Sequence, residues 1–152
     1  MSRVADRLAE LGLTLPPVVP PVAAYIPALR NGSLVWTSGQ IPMVDGQLSA
    51  TGLVGGDVTA EDAKDLARVC ALNALAAVGS VVDLDSVVRV VKVVGFVASA
   101  PGFYGQPGVV NGASELLGEV FGENGRHARS AVGVAVLPLN APVEVEIVVE
   151  VS

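Results

Sequence analysis

The sequence predicts one mixed α/β domain, a sheet with two long helices packed on one face. Three observations carry that reading. Two segments, opening at Thr59 and at Pro107, place apolar residues at helical spacing, and each lies between runs that read as strands. An Asn31-Gly32 pair separates two strand-like runs near the start, and two further strands close the chain. The length of 152 residues suits a single domain with one sizeable core.

Taken in order, Val4, Leu8 and Leu11 follow Ser2 at helical spacing and Gly12 stops them, which gives a short first helix. Residues 1–22 are thus read as that helix plus an extended, proline-rich segment of the same domain. Tyr25 to Arg30 and Ser33 to Ser38 flank Asn31-Gly32, the preferred pair for a type I′ turn, and predict a hairpin. A Gly-rich loop from Gln40 to Asp57 follows. Thr59 with Asp62 resembles a capping box, and Ala63, Leu66, Cys70, Ala74 and Ala77 form the apolar face of a long helix. Val87 to Ala98 is a valine-rich strand, expected to be buried on both faces over part of its length. After a loop from Ser99 to Gln106, Pro107 opens a second long helix that runs to Phe121, with Gly122 as its stop. The last two strands, Arg129 to Leu137 and Val143 to Val151, are expected to pair as a hairpin around Pro138 and Pro142. Hairpins at both ends and helices between strands leave one face of the sheet bare, and that face needs a partner subunit.

Composition narrows the function. Hydrophobic residues make up 51% of the chain and charged ones 16%, with 17 glycines besides. So much apolar surface exceeds what one small domain hides, and it predicts a homo-oligomer. The net charge of −6, with Lys and Arg scattered singly, repels a phosphate backbone and argues against a nucleic-acid partner. Cys70 stands alone, so an intramolecular disulfide and a thiolate metal site are excluded, and a reducing cytoplasm is expected. No signal peptide is apparent. Residues 11–29 are uncharged and as long as a membrane span, but Pro16, Pro17, Pro20, Pro21 and Pro27 prevent a continuous helix, so no membrane association is expected. Phosphate loops, zinc motifs, dinucleotide fingerprints and nucleophile elbows are absent from the sequence.

Charge is sparse toward the C-terminus. Arg129 opens a strand in which Val132, Val134 and Val136 alternate with small residues, and no ionisable side chain follows from Ser130 to Asn140. A guanidinium at the rim of such a strand either pairs with an internal carboxylate or clamps a substrate carboxylate in bidentate fashion. Glu144, Glu146 and Glu150 share one side of the final strand with Val148. They are either a solvated face or, for a partly buried Glu144, an acid–base group that holds a water.

The segments Ser38-Gly39-Gln40-Ile41-Pro42, Arg129-Ser130, Leu137-Pro138 and Val143-Glu144-Val145-Glu146, with Tyr25 upstream of the first and Asn111 on the second long helix, resemble the RidA family, also called YjgF. The resemblance covers most of the chain and suggests a longer, divergent branch. It implies a chorismate-mutase-like fold assembled as a homotrimer with sites in the clefts between subunits. It also implies hydrolysis of reactive 2-imino or 2-enamino acids, such as 2-aminoacrylate, to 2-keto acids and ammonia, with neither metal nor organic cofactor. Carried over, Arg129 clamps the substrate carboxylate and Glu144 orients water or moves a proton. Gly39 holds the substrate through its backbone, and Ser38, Tyr25 and Asn111 line the cleft. Where many members have a cysteine two residues after the arginine, this chain has Ala131. Where they have proline two before it, the chain has His127, a further residue expected at the rim of the pocket.

The alternative is a non-catalytic trimer that binds small carboxylates as a sensor or partner module, for which the same arginine serves. Ribonuclease activity, attached to some of the family's names, fits poorly with the acidic charge. If Leu137 pairs with Val143, Arg129 and Glu144 stand seven residues apart along a hairpin, roughly 23 Å at about 3.3 Å per residue. A site that contains both then draws them from two subunits.

Overall fold

The computed structural model describes residues 2–152. Among these the elements run α1 (Arg3–Glu10), β1 (Ala28–Asn31), β2 (Leu34–Thr37), β3 (Met43–Val44), β4 (Gln47–Leu48), α2 (Ala60–Gly79), β5 (Val87–Ala98), α3 (Gln106–Phe121), β6 (Ala128–Val134) and β7 (Val143–Val151). The main sheet has the order β1-β2-β7-β5-β6, and β3 and β4 form a separate small hairpin.

The expected C-terminal hairpin does not form. β6 pairs in parallel with β5, while β7 runs antiparallel between β2 and β5. Residues 135–142 are too many for a tight hairpin turn. Leu139 and Asn140 in that connection both take φ 59°, and the chain passes beyond β5 before it re-enters the sheet. The segment β5–α3–β6 is a strand–helix–strand crossover, and α2 likewise joins β2 to β5. Both crossovers step the same way across the sheet, so crossovers of one hand put both helices on the same face.

The first hairpin is shifted by one residue. Asn31 pairs with Leu34, which leaves Gly32 and Ser33 as the turn, and Gly32 alone takes a positive φ of 63°. Glycine in the first central position suits a type II′ turn, so the glycine rather than the asparagine sets the register. The segment expected as a plain loop contains the β3–β4 hairpin, turning on Asp45 and Gly46, both at positive φ.

The core lies between the sheet and its two helices. Val143, Val145, Ile147, Val149 and Val151 of β7 point into it, facing Ala67, Cys70 and Ala74 of α2. The two helices touch closely at Gly112, where a Cβ would stand 1.9 Å from the carbonyl oxygen of Lys64. β5 is buried on one face only: Val90, Val93 and Val97 are inaccessible, but Val94 and Phe96 are half-buried. Nothing among the described residues covers that second face, where Leu29, Trp36 and Val132 are exposed.

α1 is docked through its N-terminus. Ser2 Oγ accepts from Ala5 N–H as the cap, and the Asp85 carboxylate accepts from the backbone N–H groups of Arg3 and Val4 and from Ser2 Oγ. The Val4 N–H, foremost among these donors, holds the Asp85 carboxyl below its usual range. Val4 and Leu8 are buried below the cap, and Arg7 Nε donates to the carbonyl of Glu119 on α3 at 2.7 Å.

Candidate functional site

The residues singled out from sequence fall into two groups on opposite faces of the sheet. Arg129 lies beside Val93 in the parallel ladder, and Glu144 lies beside Phe96 in the antiparallel one. Lateral neighbours in a sheet point the same way, so Arg129 shares the helix-covered face with Val93 and Glu144 shares the open face with Phe96. Their backbones stand three residues along and two strands across, roughly 14 Å by standard strand dimensions. The hairpin geometry expected from sequence is thus replaced by two residues on opposite faces of one sheet.

The first group forms where the edge strand β6 meets α3. Arg129 Nη1 donates to Asn111 Oδ1 at 2.7 Å and to Ser114 Oγ at 3.2 Å, and Nη2 donates to the carbonyl of Pro107 at 3.3 Å. Residues 107, 111 and 114 occupy one side of a helix, which is why three acceptors converge on a single guanidinium. The ion pairs among the described residues involve Arg7, Lys64, Arg68 and Arg126. Arg129 forms no ion pair among the described residues, so the internal pair considered from sequence is not formed. Of its five N–H donors, Nε–H and one on Nη2 stay unengaged within the described residues, and a carboxylate can accept from that edge in bidentate form. His127 belongs to the same group: its Nδ1 lies 2.6 Å from the carbonyl of Gly125, and its Nε2 lies 2.9 Å from Ser114 Oγ. A carbonyl only accepts, so Nδ1 carries a proton, and in the neutral ring Nε2 accepts from the Ser114 hydroxyl. Ser114 was not legible as a site residue. Its spacing of three from Asn111 is the signal that would have found it.

The second group surrounds a cavity of about 650 Å3 whose wall includes Tyr25, Gly39, Gln40, Asn73 and Glu144. An isolated bridge between Gln40 and Val145 brings the 38–42 segment against β7. A Cβ on Gly39 would stand 2.7 Å from Glu144 Cδ, so the missing side chain is what lets the carboxyl lie on this backbone. Burial raises the Glu144 carboxyl above its usual range, and the neighbouring charge of Glu146 adds to the rise. Asn73 is buried and donates to the carbonyls of Ile41 and Met43 at 3.2 and 3.0 Å, which pins the loop to α2. Tyr25 accepts at its hydroxyl from Val22 N–H at 3.4 Å. Ser38 does not contribute to the cavity wall: its hydroxyl donates to the carbonyl of Ile26 at 2.6 Å and holds the incoming chain.

Two groups considered from sequence have core roles. Cys70 is fully buried, its thiol donates to the carbonyl of Val143, and burial pushes it well above the usual thiol range. Ala131 packs on the core beside Gly95. Among the described residues no cluster of His, Cys, Asp and Glu could hold a metal ion, and no helix is long and apolar enough to cross a membrane.

Residues 5–151 match the family model described as "YjgF/chorismate_mutase-like, putative endoribonuclease". A curated relative, "Protein TCP17" of Trypanosoma cruzi, is 44% identical, with the alignment covering 99% of this chain and 96% of that protein. The solved structure of Atu1372, a protein of unknown function from Agrobacterium tumefaciens, is 48% identical at a TM-score of 0.92 and covers 99% of this chain and 93% of its own. E. coli TdcF, solved with bound serine, is 26% identical at a TM-score of 0.62 and covers 91% and 94%. A match over nearly the whole length, together with the mixed five-stranded sheet, places this chain in the YjgF family, also called RidA.

Proposed function

We propose that the protein hydrolyses reactive 2-imino and 2-enamino acids, such as 2-aminoacrylate, to 2-keto acids and ammonia in clefts between the subunits of a homotrimer. The observation that carries this reading is the part-buried Arg129, held by neutral acceptors, with no carboxylate partner and one bidentate edge unengaged. In the reaction an enamine first takes a proton at its terminal carbon to become the imine. Water adds to the C=N carbon, the C–N bond breaks, and ammonia leaves as the carbonyl forms. Arg129 of one subunit binds the substrate carboxylate, with Asn111, Ser114 and His127 fixing the guanidinium. Glu144 of the neighbouring subunit accepts a proton from the attacking water and returns it to nitrogen, a role that its raised affinity for protons suits. The imine is labile by itself, so positioning and modest acid–base help are enough. Serine bound to TdcF supports recognition of a small amino-acid carboxylate by a protein of this fold. The net charge of −6 speaks against ribonuclease activity in this chain. The test is to generate 2-aminoacrylate in vitro and time pyruvate release. Acceleration by the purified protein is expected, and none would overturn the reaction. Calorimetric binding of 2-ketobutyrate without turnover would favour the second reading, a carboxylate-binding module, which the same guanidinium edge supports.

A further inference from the structure

The cavity beside Glu144 is larger and more apolar than a three-carbon imino acid requires. At about 650 Å3 it falls within the roughly 300–1,000 Å3 that enclose drug-sized ligands. Its polar lining comes from Thr14, Tyr25, Gln40, Asp45, Asn73 and Glu144, whereas Val18, Val22, Ile41, Met43 and Leu72 contribute hydrocarbon. Ile41 follows Gln40, which pairs with Val145, so it lies across from Glu144. Hydrocarbon therefore begins beside the carboxyl that the reaction uses.

One wall is the proline-rich segment between α1 and β1, and it is fixed at both ends. Asp85 grips the first turn of α1, while Ser38 donates from its hydroxyl to the carbonyl of Ile26 and from its N–H to that of Pro27. Pro16, Pro17, Pro20 and Pro21 stiffen the span between. A wall anchored in this way is formed before a ligand arrives, so an apolar group that enters it needs little ordering of the protein.

We propose that this cavity accepts the side chain of a 2-imino acid bearing a bulky apolar group, branched aliphatic or aromatic, and that it sets the enzyme's preference against small imines. The inference rests on the reaction proposed above. Water replaces the C=N nitrogen, so the imine of leucine becomes 4-methyl-2-oxovalerate and ammonia, with no other reactant.

The test forms imino acids from alanine, leucine and phenylalanine with an L-amino-acid oxidase, oxygen and catalase, and follows their decay by semicarbazide trapping. Each additional buried methylene contributes about four-fold, so kcat/KM for the leucine-derived imine should exceed that for the alanine-derived one at least about ten-fold. Val18→Asp should reduce that ratio several-fold. Calorimetry should show 4-methyl-2-oxovalerate binding at least about ten-fold more tightly than pyruvate. Equal or better turnover of the alanine-derived imine would overturn the inference and leave the reaction standing, as would a ratio unaffected by Val18→Asp. Were no imine accelerated, the reaction would fall, and the calorimetric ratio would still decide for or against the cavity's preference.

Discussion

Removing the Arg129 side chain leaves Asn111 and Ser114 beside solvent, where water can replace the lost donor, so Arg129→Ala should change Tm little. Its effect falls on the substrate: loss of a charge-assisted pair in a desolvated cleft costs about 2–5 kcal/mol, and kcat/KM for 2-aminoacrylate should fall at least about 30-fold. Arg129→Lys should recover little, because a point charge cannot occupy the bidentate edge, and near-native turnover in that variant would show that Arg129 is not the clamp. Glu144 makes the opposite prediction for stability. Its carboxyl holds a proton more tightly in the fold than in the unfolded chain. The folded state therefore binds more protons between the ordinary glutamate value and the raised one, and stability declines as pH rises through that window. Glu144→Gln should raise Tm at pH 7 by a small amount, on the order of 1–3 °C, with the gain disappearing below the ordinary glutamate value. It should lower kcat at every pH, and thermal melts at pH 4 and 7 beside steady-state rates check both. Arg129 was legible as a candidate because no ionisable residue follows it from Ser130 to Asn140, and Glu144 because the family resemblance singled it out from Glu146 and Glu150. Ser114 was not, since one serine on a helix carries no chemical signal until the helix meets β6.

The long elements were legible because their periodicity is strong. α3, β5 and β7 lie within a residue of where spacing and capping put them, and α2 starts where its cap puts it, with Thr59 Oγ1 accepting from Asp62 N–H. Pairing partners were not legible to the same degree. Sequential strands pair more often than not, which makes β6 and β7 look like a hairpin, although the strand–helix–strand order before them points to a crossover, and β6 ends at Val134 rather than Leu137. The β3–β4 turn carried a plain signal in Asp45-Gly46 but is flanked by strands of only two residues each. At the same scale, Gly112 is where α2 and α3 come closest, and its neighbour is backbone, which cannot rotate aside. Gly112→Ala should destabilise by about 3 kcal/mol or more, whereas Gly118→Ala on the same helix meets nothing within 4 Å and should be neutral or better in urea melts. Asp85→Ala should leave global stability nearly unchanged but strip hydrogen-exchange protection from α1, because the carboxylate engages only the first turn.

At the scale of the whole molecule, the two halves of the proposed site cannot meet within one chain, since they point from opposite faces of one sheet. In the proposed trimer the open face with its exposed Leu29, Trp36 and Val132 is the surface for association, and light scattering at micromolar concentration should give the mass of a trimer. In the proposed cyclic trimer, Arg129 of each subunit meets Glu144 of the next and every interface is the same. Separately inactive Arg129→Ala and Glu144→Ala proteins should therefore complement each other. When they are mixed in equal amounts, unfolded and refolded together, a site is whole only if its arginine comes from the Glu144→Ala chain and its glutamate from the Arg129→Ala chain. Random assembly makes this true of about one site in four, so about a quarter of wild-type activity should return. Mass spectrometry establishes that mixed trimers have formed. Full inactivity despite such trimers would mean that no site is shared between chains, and the sheet geometry would then require Arg129 and Glu144 to act at separate places.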